Sequence, residues 1–194
     1  MLRVLLLAIA CAVAGCSAES STLRWTEEIR LPDGRVVLLN REQSFDKRDL
    51  VSSYWLEFKH PRTAASIRYE NSGEFSTVAL YLHEELAYLV VTPTFAVHFD
   101  QSGCPNPRYF VFKFLGDKWE QIPLMQSPLK QVAENMTVDS KSVRSEIKKR
   151  DYSVKVDEVV SMSQSVGPAF EQYDLTKVQA QTFACPDRKR FSLN

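Results

Sequence analysis

The residues able to do chemistry in this chain are few, and their spacing tests each role. His83-Glu84-Glu85-Leu86-Ala87 opens like the H-E-x-x-H helix of zinc proteases. That chemistry needs a second imidazole one turn on, sharing the metal while the glutamate polarises water. Ala87 holds the fifth position and the surroundings alternate like strand and turn, so a polar strand end is expected. His60, His83 and His98 are the chain's histidines. Any small hydrolase assembled from scattered residues would take its base from them. His98 precedes Asp100 by two residues, a base with its orienter in principle, although a half-buried strand histidine is the simpler reading. No G-x-S-x-G elbow accompanies them, and the six glycines form no phosphate-cradling loop. Adjacent acids occur at Glu27-Glu28, Glu84-Glu85 and Asp157-Glu158. Neighbours along a strand point to opposite faces, so such pairs cannot share a proton or flank a glycosidic bond. These failures predict a protein that is not an enzyme, with no cofactor and no metal.

Two features point to binding. On a helix, Lys141, Arg144 and Lys148 fall near one face. With Arg188, Lys189 and Arg190 they could meet the phosphates of anionic lipid or lipopolysaccharide, although Glu146 among them also fits a solvated charged helix. Aromatic residues are plentiful. Phe95, Phe99, Phe110 and Phe112 read as core, whereas Trp25 and Trp55 have polar neighbours and are expected to be partly exposed, as contacts for sugar or protein.

The elements that must position these residues are mostly strands. Trp25–Leu31 and Arg35–Arg41 flank Pro32-Asp33-Gly34, where proline presets φ and Asp-Gly tolerates a tight turn. Tyr54, Leu56 and Phe58 alternate with Trp55, Glu57 and Lys59, a period of two. His60–Thr63 then turns the chain into Ala65, Ile67 and Tyr69. Further strands are read at 78–82, 86–91, 95–99, 109–114 and 119–122. From Ser127 the texture changes. Ser127-Pro128 can start a short helix over 129–134, Asp139 can cap a second reaching Arg150, and strands return near 154–160 and 178–183. The fold class is therefore mostly β (α+β), an antiparallel meander forming a sandwich or barrel-like sheet, with one or two short helices near 128–150.

The start of the chain supplies an address. Arg3 is the only charge before Glu19, and Val4–Val13 is an apolar run of ten residues. That suits a signal peptide and is shorter than the roughly 20 residues of a spanning helix. Val13-Ala14-Gly15-Cys16 resembles the lipobox of bacterial lipoproteins. The resemblance implies removal of residues 1–15, acylation of Cys16 and a lipid anchor. Ser17, in place of the aspartate that commonly retains such proteins at the inner membrane, implies the periplasmic face of the outer membrane of a Gram-negative bacterium. Residues 16–23 then form a tether and 24–194 a single β-rich domain. The segment Trp25–Arg35 resembles the opening of uncharacterised small Gram-negative envelope proteins, which implies no chemistry.

Removing Arg3 leaves 23 basic and 24 acidic residues. A near-neutral chain lacks the basic footprint nucleic acid requires. Cys11 leaves with the signal peptide and Cys16 is acylated, so Cys104 and Cys185 remain. In an oxidising compartment they read as a disulfide, in preference to two free thiols or a metal site. The expected function is a non-enzymatic binding or scaffold role in the envelope. Its partners would be the membrane, through the N-terminal lipid, and an envelope protein, which the edge strands could receive.

Overall fold

The computed structural model describes residues 21–104, 108–129, 131–132, 135–137, 141–159 and 173–174. Strand β1 (Ser21–Arg30) pairs antiparallel with β2 (Val36–Phe45) through ten residue pairs, from Ser21 opposite Phe45 to Arg30 opposite Val36. The turn between them closes as its chemistry requires. The Gly34 amide donates to the Leu31 carbonyl at 2.9 Å with φ at +85°, and the Asp33 carboxylate accepts from the Arg35 amide and guanidinium. Strands β3 (Val51–Lys59) and β4 (Ser66–Asn71) continue the meander.

A second antiparallel sheet holds β5 (Phe75–His83), β6 (Leu86–Pro93), β7 (Phe110–Leu115) and β8 (Lys118–Ile122), in that order. The two-residue β9 (Gln131–Val132) pairs with β11 (Tyr173–Asp174), and β10 (Ser153–Val154) adds in parallel to β1.

The sheets stack face to face. Ile29, Leu39, Leu56, Phe58 and Ile67 of the first pack in one core with Leu80, Leu89 and Val91 of the second. The other face of the second sheet is also buried: Val78, Tyr81, Val90 and Val111 pack with Leu86, Ile122, Leu124 and Leu129. A register shift between Thr77 and Ala79 turns both Thr77 and Leu80 inward from one strand. The fold is mostly β, two antiparallel sheets in a sandwich with short helices, and neither sheet closes into a barrel.

Three segments differ from expectation. The apparent strand 95–99 lies largely in helix α1 (Ala96–Gln101), where the Phe99 amide bonds back to Phe95. Phe95 and Phe99 are spaced i, i+4 as well as by an even number, so a short window cannot separate the two periods. No helix spans 129–134, because Gln131–Val132 pairs with a segment forty residues away. Of the strand read over 154–160, only Ser153–Val154 is extended, and 156–159 are helical. Helix α2 (Lys141–Lys149) falls within the expected 139–150 and buries Val143 and Ile147, one turn apart, in the main core. The strand read at 178–183 lies outside the described residues.

Both open sides of the sandwich are bridged. On one, the Trp119 indole of β8 donates to the Arg68 carbonyl of edge strand β4 at 2.7 Å. On the other, the Asn135 amide accepts from the Leu80 amide and donates to the carbonyls of Leu80 and Arg30. One side chain thus occupies the outward amide and carbonyl of Leu80 in β5 and ties that strand to the end of β1. Because the strands run up and down, the turns gather at two ends. Ser21, the turn 46–50 and residues 72–74 lie at one; the turns 31–35, 60–65, 84–85 and 116–117 lie at the other.

Candidate functional site

The densest polar constellation is buried between the sheets. The inward positions of β1 are Leu23, Trp25, Glu27 and Ile29, and those of β2 are Val37, Leu39, Arg41, Gln43 and Phe45. Glu27 and Arg41 are 0% and 2% exposed and form a salt bridge. The Glu27 carboxylate also accepts from the Trp25 indole (3.1 Å) and from the Thr137 amide and hydroxyl (2.5 and 2.7 Å). Arg41 donates to the Thr137 carbonyl at 3.0 Å and to the Thr77 hydroxyl at 3.1 Å, which also bonds the Tyr54 hydroxyl. The guanidinium stacks over Trp25 and Tyr54, 4.7 and 5.4 Å from their ring centres.

Burial alone would lower the Arg41 pKa, but Glu27 and Tyr54 reverse this and hold it above its ordinary value. Burial likewise raises the Tyr54 phenol, against the pull of Arg41. The cavity beside Arg41, lined by Gln43, Tyr54, Phe75 and Thr77, measures about 10 Å³. That is room for about one water. The cluster therefore joins four strands and residue 137 and offers no substrate a place.

Among the described residues, two surface concavities stand out. A groove of about 470 Å³ opens on the side where Trp119 meets β4. Phe75, Phe112 and Trp119 line it beside Arg68, Glu70, Asn71 and Glu74. Its aromatic rings brace one another: Tyr69 lies 5.7 Å from both Phe112 and Trp119, and Phe75 lies 6.1 Å from Phe112. A smaller cleft of about 310 Å³ lies at the end where β1 begins, between Ser21–Leu23, Phe45, Asp49, Arg144 and Lys148.

The residues singled out from sequence scatter across this frame. His60 is buried at the far end, where its Nδ1 accepts from the amides of Arg62 and Thr63 at 3.3 Å. Burial, then Arg35 and Arg62, lowers its pKa, so the ring is a neutral turn cap. His83 ends β5, exposed. His98 stands on α1 with Nδ1 3.1 Å from the Glu74 carbonyl and its ring against Phe95. Among the described residues no histidine is hydrogen-bonded to a carboxylate or hydroxyl, and no three His, Cys, Asp or Glu side chains converge to hold a metal.

Of the basic triplet, Lys141 opens α2, Arg144 is held by Asp49 at 2.7 Å and stacked over Phe45, and Lys148 is exposed. Trp25 is core, whereas Trp55 is half-buried with Arg68 stacked 4.3 Å from its ring centre. Cys104 is disulfide-bonded. Its expected partner Cys185, the lipidation residue Cys16 and Arg188–Arg190 lie outside the described residues. None of the described helices is long and apolar enough to cross a membrane.

Sequence reasoning missed the Glu27–Arg41 pair and the groove. The signal for the pair was present, since Glu27 and Arg41 share the inward parity of Ile29 and Leu39. The groove had no such signal, because β4, β5, β7 and β8 supply it jointly. Fold and site together define a β-sandwich with an aromatic groove on one flank. No family model, curated protein or solved structure matches this chain.

Proposed function

We propose that this protein is a non-enzymatic binding module of the bacterial envelope, anchored through acylated Cys16, whose groove receives an oligosaccharide. One observation carries the reading: a groove of about 470 Å³ lined by Phe75, Phe112 and Trp119 together with Glu70, Glu74 and Asn71. Binding sites of this size combine apolar walls with a few polar groups that fix orientation. Aromatic faces suit the apolar face of a sugar ring, and carboxylates and amides accept its hydroxyls.

Trp119 favours this reading over the addition of a partner's strand to β4. Its indole already occupies the Arg68 carbonyl at mid-strand, so an incoming strand would have to displace it. Recognition there falls to side chains.

The test uses the three indole N–H resonances, in the Cys16→Ser form and with a soluble N-acetylglucosamine oligomer as probe. The Trp119 resonance should move while that of core Trp25 stays, and Trp119→Phe should weaken binding. An unmoved Trp119 signal at millimolar oligomer refutes the ligand assignment. Intact mass of the membrane-extracted protein tests the anchor, which an unmodified Cys16 would overturn.

A further inference from the structure

The end of the sandwich at which β1 begins also carries a distinct distribution of charge. Around the cleft beside Ser21 stand Asp46, Lys47, Arg48 and Asp49 of the β2–β3 turn, and Arg144, Glu146, Lys148 and Lys149 of α2. Most of these charges are spent on one another. Arg48 is paired with Asp46 at 3.0 Å, Arg144 with Asp49 at 2.7 Å, and Lys149 with Glu146 at 2.7 Å. Lys47 and Lys148 remain, both exposed and without an ion-pair partner among the described residues.

Chain length adds an independent constraint. β1 begins at Ser21, so five residue steps separate its first Cα from that of Cys16. Fully extended, they reach roughly 17 Å. The opposite end of the sandwich lies a ten-residue strand away, roughly 33 Å at strand rise. An anchor at Cys16 can hold only the near end against lipid.

The geometry points to a fixed orientation: the end bearing Ser21, Lys47 and Lys148 faces the bilayer, and both lysines meet the phosphates of anionic lipid headgroups. The inference rests on acylation of Cys16. It replaces Arg144, which Asp49 and Phe45 hold, with Lys47 from a different element. With this end down, the turns at 31–35, 60–65 and 116–117 point away from the membrane. A lysine near an anionic surface contributes roughly fivefold in affinity, so the pair contributes roughly 30-fold.

The full lipidated chain would be reconstituted in vesicles of phosphatidylcholine with phosphatidylglycerol. Single fluorescent labels at Lys47→Cys and Lys148→Cys would be compared with labels at Asp33→Cys and Asp117→Cys, using a headgroup spin-label quencher. The inference requires strong quenching at 47 and 148 and weak quenching at 33 and 117. It also requires Lys148→Gln to weaken the quenching of the label at 47, and Lys47→Gln to weaken that of the label at 148. Equal or reversed quenching in protein whose mass confirms acylation overturns the orientation.

If mass shows Cys16 unmodified, the anchor reading itself fails. Cosedimentation of the unacylated chain with the same vesicles then decides. A loss of roughly 30-fold in Lys47→Gln/Lys148→Gln keeps the lysine contact, and no loss overturns it.

Discussion

Glu27→Gln is the most informative single change. The substitution keeps shape and an acceptor for the Thr137 amide, but removes the charge opposite a guanidinium that is 2% exposed. Removing one member of a buried ion pair costs about 3–5 kcal/mol, because the other charge stays desolvated. Folded domains are stable by about 5–15 kcal/mol, so the loss is a large fraction of the total. With a guanidinium m-value of about 4 kcal/mol/M, the unfolding midpoint should fall by about 1 M. Trp25, whose indole donates to Glu27, reports the transition by fluorescence.

Arg41→Met should be similarly damaging alone, since it strands the carboxylate. The double variant Glu27→Gln/Arg41→Met should cost less than the two singles added, with a coupling of about 2–3 kcal/mol. A midpoint unchanged in Glu27→Gln, or strictly additive costs, would show that the buried pair does not stabilise the fold as argued.

Two glycines with similar φ separate strain from contact. Gly34 has open space around a built Cβ, so Gly34→Ala should cost about 1 kcal/mol in denaturant unfolding. At Gly73 a Cβ would press into the Val51 carbonyl, so Gly73→Ala should cost at least about 2 kcal/mol; equal costs would contradict the packing of that turn. His60 ties stability to pH. Its folded pKa is lowered, so below the unfolded value of about 6.5 the unfolded chain binds more protons. The contribution is whole above that pH and lost as pH falls through the window beneath it. Unfolding midpoints should therefore drop on acidification less steeply in His60→Asn than in wild type, and matching slopes would exclude His60. Asn135→Ala leaves the outward amide and carbonyl of Leu80 unpaired and should cost about 1–3 kcal/mol by calorimetry or denaturant; no loss would mean that water replaces the amide.

Legibility followed the range of the interaction. Pro32-Asp33-Gly34 and the alternation of Tyr54, Leu56 and Phe58 with Trp55, Glu57 and Lys59 are local, and strands formed there. The same alternation carries Glu27 and Arg41 inward, yet it does not mark them as a buried pair, because their compensation lies elsewhere. Thr137 is 110 positions from Glu27, and Thr77 is 36 from Arg41. Phe95 and Phe99 satisfied both periods at once, and hydrogen bonding settled them as helix. Gln131–Val132 follows the helical start signal of Ser127-Pro128, which pairing with Tyr173–Asp174 overrode.

By itself the sequence determined what nearest neighbours decide: hairpins, their turns, the inward parity of each strand and a mostly β class. Val13-Ala14-Gly15-Cys16, which resembles a lipobox, is likewise a pattern of consecutive residues. Tertiary structure decided which two sheets form and how their flanks are bridged, by Trp119 on Arg68 and by Asn135 on Leu80. It also decided that Arg144 is bound to Asp49 while Lys148 has no ion-pair partner among the described residues. The reason is common to all three. Desolvation and pairing depend on groups brought together from distant positions, and a one-dimensional pattern of polarity does not encode which distant group arrives.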